Sequence, residues 1–294
     1  MGRRGGLLEL VFDEMGDIAM ERVVVDGVAL VGGCDGGVRF GFTERTGGVS
    51  EAPYASLNLG SHVGDDLEAV RENRRRALHA LCKAAPFGGR PGAWAAEGFD
   101  GLLDRLLVPN QVHGDHVAVV RDSDPTSLAS VRTEIAAGAD AIVCVAPGTP
   151  VMLCFADCVP VVLTAPSGFA VIHSGWKGTI ARIAAKASRA LADEAVCAPE
   201  DIRAYIGPHI QGDEYEVSDE LIGRFDEEFG WHGSGVTRLL DLSRAIRQAL
   251  VEAGVPASSI WDQGLSTVRD NDRFFSYRAE GGTCGRHAAV AVIA

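Results

Sequence analysis

The sequence VMLCFADCVPVVLTAPSGFAVIHSGWKG, residues 151–178, is the most strongly patterned part of this 294-residue chain. Its short apolar runs at 151–155, 159–163 and 170–173 are rich in β-branched residues and are separated by turn-forming residues such as Pro166-Ser167-Gly168. Continuous apolar runs of this length are typical of strands that are buried on both faces. The stretch therefore predicts three central strands, with a fourth at 141–145.

The flanking sequence contributes further predicted elements. A hairpin is expected from 23–30 and 38–42, broken by a glycine-rich turn at 32–37, and a helix should follow Asp65, with Glu68 completing a capping box. Thr179 is predicted to cap a second helix. The remaining elements are a strand at 203–206, helices at 221–229 and 242–253, and a closing strand at 288–293. Because strands and helices do not alternate strictly, we expect an α/β (α+β) fold of layered mixed β-sheets covered by helices, not a Rossmann or barrel fold.

The chain length and local composition suggest one domain over residues 21–294. Residues 1–20 are acidic and weakly patterned, and we interpret them as an N-terminal extension. Residues 84–101 are rich in Gly, Pro and Ala, which indicates a surface insertion.

Composition excludes several classes of partner. A formal net charge of −13 disfavours nucleic-acid polymers and anionic membranes, although a locally positive pocket can still bind a small anion. No apolar stretch is long enough to span a bilayer, and no apolar signal-peptide region follows Met1. The seven cysteines lack paired spacing, which predicts reduced thiols in the cytoplasm. No feature of the sequence indicates an oligomeric state.

Three residues are candidate metal ligands: His113, Cys158 and His173. Two imidazoles and one thiolate suit zinc, and three protein ligands leave a fourth tetrahedral position open, as in catalytic sites. Copper binds such ligands as well. Taken singly, a cysteine in an apolar run is more often a core residue. Cys158 falls at a break between two predicted strands and His173 ends the next one, and strand ends are where a rigid scaffold presents chemistry.

Two features near these ligands leave alternatives open. Gly175-Trp176-Lys177-Gly178 is either a tight strand-to-helix turn or an anion site in which a helix N-terminus and Lys177 favour negative charge. Asp140 and Asp157 are expected to orient ligands and not to bind metal, since zinc already has three softer ligands. Asp157→Asn should then weaken activity more than metal content, unless Asp157 only caps a turn.

Many ordered sequence blocks resemble one protein family, and they cover nearly the whole chain after residue 38. They include Phe42-Thr43-Glu44-Arg45-Thr46-Gly47-Gly48, His62-Val63-Gly64-Asp65-Asp66, Gln111-Val112-His113-Gly114, Ala156-Asp157-Cys158-Val159-Pro160, His173-Ser174-Gly175-Trp176-Lys177-Gly178, Phe274-Phe275-Ser276-Tyr277-Arg278 and Gly285-Arg286. The chain is similar to the YfiH family, also called the laccase-domain or multicopper polyphenol oxidase family. The resemblance implies layered sheets and helices related to toxin deamidases, and a metal site of His113, Cys158 and His173.

The resemblance also implies a function. It suggests phosphorolysis of adenosine, inosine and methylthioadenosine at a zinc-dependent site, with adenosine deamination as a side activity, so that the partners are a purine nucleoside and phosphate. Phosphorolysis needs a cationic phosphate subsite and a hold on the ribose. Arg45 and Lys177 are candidate phosphate contacts, and Ser56 and Asn58 are candidate ribose or base contacts. Lys177 stands where the family usually has Arg, which keeps the charge but loses bidentate geometry.

Other functions fit the same residues. Cys158 could be the nucleophile of a cysteine hydrolase with His173 or His113 as its base. The chain could also be a peptidoglycan-editing factor that uses Cys158, or a non-enzymatic partner in cell-wall control. A copper polyphenol oxidase fits less well, because the chain has eight histidines and no His-x-His pair for a multicopper centre. A blue-copper site would need an axial methionine, and only Met152 is near in sequence.

Overall fold

In the computed structural model, which describes residues 20–87, 98–231 and 238–293, the first of two sheets has five antiparallel strands. These are β1 (Glu21–Val25), β2 (Val28–Asp35), β3 (Val38–Thr43), β6 (Val151–Phe155) and β11 (His287–Ile293). Their order is β1-β2-β3-β11-β6. The last strand therefore lies inside the sheet, between β3 and β6.

The second sheet has six strands in the described residues and is mixed. They are β4 (Val117–Val120), β5 (Ala141–Cys144), β7 (Val159–Ala165), β8 (Gly168–Ser174), β9 (Arg203–Ile206) and β10 (Ile260–Asp262). Their order is β10-β9-β7-β8-β5-β4; the two outer pairs are parallel and the inner pairs antiparallel. Its central strands β7 and β8 are buried along their whole length, as is β6 at the edge of the first sheet, in agreement with their apolar sequences.

Most of the helices cover the outer faces of the two sheets, whereas the helix at Pro125–Ala137 packs its buried side chains into the layer between them. The helices are α1 (Leu67–Lys83), α2 (Gly98–Asp104), α3 (Pro125–Ala137), α4 (Trp176–Ile180), α5 (Ile183–Ala195), α6 (Asp219–Phe229) and α7 (Leu242–Glu252). Helices α5, α6 and α7 pack on the six-stranded sheet, and α1 packs on the five-stranded sheet. The predicted class of helix-covered layered sheets is confirmed.

Strand alternation explains how one strand contributes to two layers. Phe169 and Val171 of β8 face the layer between the sheets, where Phe40, Leu153 and Tyr205 also lie, whereas Ala170 and Ile172 face the helices. Side chains of β6 alternate in the same way. Leu153 and Phe155 point into the layer between the sheets, and Met152 and Cys154 point toward α1. His173, two residues after Val171, falls on the inner side and contacts the Phe155 ring.

The N-terminal hairpin differs from its prediction. Residues 23–30 are not one strand, because a turn at Asp26-Gly27 separates β1 from β2. Residues 32–35 belong to β2, and the turn is confined to Gly36-Gly37. Gly32 has a packing role: a Cβ there would lie 2.1 Å from the carbonyl oxygen of Phe40. Glycine in this segment therefore marks close strand contact and not only a turn.

Two helix starts also differ from their predictions. The N-cap of α1 is Asp66, whose side chain accepts the Glu68 N–H, whereas Asp65 bonds Ser50 and Asn58. Thr179 lies inside α4 instead of capping a long helix, and its hydroxyl donates to the Gly175 carbonyl. The helical conformation is interrupted at Arg182, which has a left-handed backbone (φ 58°) and is the N-cap of α5.

The predicted extension and insertion lie largely outside the described residues. Of residues 1–20 only Met20 is described, and it is buried. Residues 88–97 of the 84–101 stretch are not described; its ends contribute a short 3-10 turn at Ala85–Phe87 and the start of α2. The single domain over 21–294 stays a prediction. Within the described ranges, no helix combines the length and the apolar character needed to cross a bilayer.

Candidate active site

The candidate ligands meet where the chain passes from one sheet to the other. Strand β6 ends at Phe155 and β7 of the second sheet begins at Val159, so Cys158 lies on the crossing segment. His173 lies in β8, opposite Pro160 of β7, which places it beside Cys158. His113 comes from the loop before β4 and packs edge-on against His173, with ring centroids 4.8 Å apart. The fold thus brings His113, Cys158 and His173, which are distant in sequence, close together in space.

The three side chains form a compact donor set. One nitrogen of each histidine and the Cys158 Sγ all lie within 4.8 Å of one another, and this is the one cluster of three or more potential ligands in the part of the chain that the structure describes. Tetrahedral zinc with bonds of about 2.0–2.3 Å places its ligand atoms roughly 3–4 Å apart. The donors therefore suit zinc after a small inward movement.

Gly175 makes room for this cluster. A Cβ at this position would lie 3.1 Å from the Cys158 Sγ and 3.1 Å from the His113 Cδ2, closer than ordinary van der Waals contact. The glycine before α4 therefore serves close packing at the donor set, which explains its place in the motif better than helix capping does.

Asp140 organises both histidines from behind. Its fully buried carboxylate accepts from the His173 Nδ1 at 2.7 Å, which leaves Nε2 as the nitrogen available to a metal. The same carboxylate accepts the backbone N–H groups of Val112, His113 and Gly114 at 2.7–3.2 Å. These bonds hold His113 in a left-handed conformation (φ 57°) that is rare outside glycine. The predicted orienting role of an aspartate thus fits Asp140.

Cys158 and His173 perturb each other's protonation. Burial opposes the charged form of each, but the attraction between them outweighs it. Together with hydrogen bonds from His113 and His173, it lowers the pKa of Cys158 to about 6. The same attraction, with the hydrogen bond to Asp140, raises the pKa of His173 to about 9. The pair therefore favours the Cys158 thiolate and the His173 imidazolium. A metal cation that displaces the imidazolium proton would bind a thiol that is already deprotonated.

The donor set opens into a cavity of about 480 Å³, within the size range of small-molecule sites. We call the three donors its metal end. A second part, the arginine wall, consists of Tyr215, Tyr277, Arg278 and Arg286. The remaining lining residues are His62, Gln111, Cys154, Ala156, Asp157 and Ile210. Gln111 is committed to structure, since its amide bonds both the N–H and the carbonyl of Cys154.

The predicted phosphate contacts do not line this cavity. The Arg45 guanidinium bonds the Glu280 carboxylate and the Asn271 carbonyl and stacks over the Phe275 ring, 4.3 Å from its centroid. Lys177 is exposed, with its ammonium 5.5 Å from the centroid of Trp176. The charge of Arg45 is thus neutralised by Glu280, and Lys177 faces solvent.

The predicted ribose or base contacts also lie outside the cavity lining. Asn58 is fully buried, and its amide bonds Asp65, Gly60 and Arg286 through side-chain or backbone atoms. The Ser56 hydroxyl accepts the Gly48 N–H and donates to the Arg45 carbonyl. Both residues shape the loops before α1 and do not face the open space.

Apart from Asp157, the sequence did not single out as functional the residues that line the cavity beyond the metal end. His62, Tyr277, Arg278 and Arg286 all lie within motif blocks of the sequence, at His62-Val63-Gly64, Ser276-Tyr277-Arg278 and Gly285-Arg286. Membership of those blocks was the available signal. Met152 is buried under α1 and does not line the cavity, so it does not supply an axial ligand from there.

Comparison with known proteins assigns the family. A family model described as multi-copper polyphenol oxidoreductase laccase matches residues 39–87 and 93–294. The chain belongs to this laccase-domain, or YfiH, family. The match is interrupted only within residues 84–101, where the sequence suggests an insertion.

Curated relatives carry an enzyme name. "Purine nucleoside phosphorylase YlmD" of Geobacillus stearothermophilus is 34% identical over 258 residues, covering 85% of this chain and 88% of the relative. A purine nucleoside phosphorylase of Deinococcus radiodurans is 35% identical over 256 residues, covering 85% of this chain and 87% of the relative. Both relatives are thus named as the same kind of enzyme.

Solved structures share the fold. The crystal structure of YlmD from Geobacillus stearothermophilus superposes with a TM-score of 0.77 at 30% identity, covering 94% of this chain and 99% of that one. The Bacillus licheniformis hypothetical protein YfiH superposes with a TM-score of 0.74 at 30% identity, covering 92% and 97%. The layered fold is therefore that of the family.

Proposed function

We propose that this chain is a zinc-dependent purine nucleoside phosphorylase that acts on adenosine, inosine and methylthioadenosine, with adenosine deamination as a side activity. The observation that carries the proposal is the convergence of His113, Cys158 and His173 on a cavity that also presents two arginines. An anionic co-substrate and a neutral nucleoside both find complementary groups there. The names of the relatives support the same activity.

The reaction is a displacement at C1′ of the ribose. A phosphate oxygen forms a bond to C1′ while the bond from C1′ to the purine nitrogen breaks, and the electron pair leaves with the base. The proton that phosphate gives up balances the proton that the base takes up. Zinc held by His113, Cys158 and His173 would supply a Lewis acid at the metal end.

The chain's own residues supply binding and orientation. Asp140 fixes the donor histidines, so the metal end needs little rearrangement when substrate arrives. Tyr215 and Tyr277 offer aromatic faces beside the cavity, which suit a planar purine. The cationic groups of the arginine wall suit phosphate.

The direct test is product analysis with inosine. Zinc-loaded protein should release hypoxanthine only when phosphate is present, and ribose 1-phosphate should form in equal amount. Elemental analysis of the same sample should show about one zinc per chain. Equal release of base without phosphate would show a hydrolase instead.

The Cys158–His173 pair favours a second candidate, a cysteine hydrolase in which Cys158 is the nucleophile and His173 or His113 the base. The lowered pKa of the Cys158 thiol, which desolvation opposes and the histidines produce, is the observation that supports it. Activity that survives complete chelation of metal and is abolished by a thiol alkylating reagent would favour this candidate.

A further inference from the structure

Two arginines of the cavity carry charge that the fold does not neutralise. Among the residues that the structure describes, no carboxylate forms an ion pair with the side chain of Arg278 or Arg286. Arg278 donates to the Glu216 carbonyl, and Arg286 donates to the carbonyls of Cys284 and Gly285. Both residues line the cavity.

Their neighbours in sequence behave differently. Arg269 pairs with Asp213, and Arg273 pairs with the buried Glu44. Arg45, which comes near the same segment, pairs with Glu280. In a chain of net charge −13, carboxylates have neutralised the structural arginines of this region. Of the described arginines between β10 and β11, Arg278 and Arg286 are the two without a carboxylate partner, and both line the cavity. Positive charge left without a carboxylate partner at a cavity is the pattern expected of an anion subsite.

His62 links this charge to the metal end. Burial lowers the pKa of its imidazole, and the positive charge of Arg286 and then of Arg74, His113 and His173 lowers it further. His62 lines the same cavity as Arg286 and the donor histidines, and its lowered pKa favours the neutral imidazole. A neutral imidazole can donate to an anion without adding charge.

Asp157 connects Arg278 to Cys158. One carboxylate oxygen accepts the Arg278 backbone N–H at 2.7 Å, and the other accepts the Thr267 hydroxyl at 2.7 Å. The Asp157 backbone is left-handed (φ 88°), and its carbonyl accepts from Ile210. Asp157 precedes Cys158 directly, so these bonds set the distance between the arginine wall and the metal end.

We propose that Arg278 and Arg286 form the phosphate subsite of the cavity and that Asp157 is the residue that positions it. The proposal rests on the proposed function, because it names the groups that would bind the co-substrate of that reaction. It gives the phosphate-binding role to the arginine wall in place of Arg45 and Lys177. A guanidinium can bind phosphate through two parallel hydrogen bonds, which a lysine cannot.

The test is direct binding of inorganic phosphate to the zinc-loaded full chain, measured by calorimetry and by the rise in melting temperature. We expect Arg278→Ala and Arg286→Ala each to weaken phosphate binding about 10-fold or more, and the double variant to abolish it. Arg278→Lys should bind phosphate with intermediate affinity. Asp157→Asn should weaken it less than Arg278→Ala, with unchanged zinc stoichiometry. Lys177→Ala is the matched control and should bind like the wild type.

Circular dichroism and zinc content identify any variant that fails to fold, and Arg278→Lys then replaces Arg278→Ala. Wild-type phosphate affinity in both arginine variants would overturn the subsite, as would absence of phosphate binding to the wild type. If phosphate binding depends on the arginines while the wild type makes no ribose 1-phosphate, the subsite stands and the proposed reaction fails. An unaltered phosphate affinity in Asp157→Asn would remove the positioning role alone.

Discussion

The metal end and the arginine wall line the same cavity but are built in different ways. The metal end takes Cys158 and His173 from the ends of buried strands, and a buried aspartate holds its histidines. The arginine wall takes Tyr215 from the loop before α6, Tyr277 and Arg278 from the irregular segment between β10 and β11, and Arg286 from the position directly before β11. Strand ends can be located from an apolar pattern, whereas loop residues carry no periodicity. Cys158 and His173 could therefore be located from the apolar pattern, whereas the roles of Tyr277 and Arg278 required the folded chain.

The largest loss of activity is expected from substitutions that remove a ligand at the metal end. Cys158→Ala and His173→Ala should each lose zinc and reduce turnover by more than the ~10–100-fold typical of residues that only support a ligand. Elemental analysis and inosine phosphorolysis measure the two effects. Cys197→Ser, a cysteine that does not line the cavity, is the control and should keep its zinc. Full zinc retention in both alanine variants would refute the ligand assignment.

A smaller effect is expected at the support of the metal end. Asp140→Asn keeps the shape of the side chain but removes the negative charge beside His173 and replaces one acceptor of backbone N–H groups with a donor. We expect zinc affinity and turnover to fall by ~10–100-fold. Competition with a chelator measures the affinity. Asp157→Asn serves for comparison, because Asp157 contacts the arginine wall and not the donor histidines; equal losses of zinc affinity in both would contradict the division of roles.

Tyr277 tests the other part of the cavity. Tyr277 is 55% exposed and lines the cavity, and the Arg286 guanidinium lies 5.9 Å from the centroid of its ring. If the ring stacks on the purine, Tyr277→Ala should raise the KM for inosine by about 2–10-fold, in line with the energy of an aromatic contact. Tyr277→Phe should be close to wild type. A fall in kcat at unchanged KM for inosine would argue against a role in base binding.

The smallest effect is expected at Lys177. The sequence suggests a phosphate contact there, but the side chain is exposed beside Trp176 and does not line the cavity. The KM for phosphate in Lys177→Ala should stay within about twofold of wild type, as for other exposed charges. Steady-state kinetics at several phosphate concentrations checks this. A rise of tenfold or more would return the phosphate subsite to the turn before α4.

The elements that sequence predicted well are those with a strong local cause. The strands at 151–155 and 159–163 follow from uninterrupted apolar runs, and the helix at 242–252 from its periodic apolar face. The donor set was accessible because soft ligands stood at the breaks between such runs. Zinc was indicated by the ligand types, two imidazoles and a thiolate, whereas the nucleoside and phosphate were implied by the family resemblance.

The elements whose bounds the sequence predicted incorrectly are determined by contacts between segments that are distant in sequence. Gly32 lies in a strand because β3 approaches too closely for a side chain, and this contact is invisible in the local sequence. Arg182 adopts a left-handed conformation and packs over the Phe229 ring, which divides α4 from α5. Arg45 lies in a motif block of the sequence, as several cavity residues do, but the Arg45 guanidinium and the Asn58 amide bond groups of the fold and do not line the cavity. Local patterns do not report such partners.

The position of β11 has a consequence for when the metal centre can exist. Cys158 follows β6, and among the strands described here β6 pairs along its length only with β11, which also pairs with β3 near the other end of the described chain. Pairings between such distant segments form late in folding. We therefore expect zinc to enter a nearly complete fold, in contrast to zinc fingers, whose metal organises an unfolded peptide. Metal uptake would then report the completion of folding, and a misfolded chain would carry no catalytic metal.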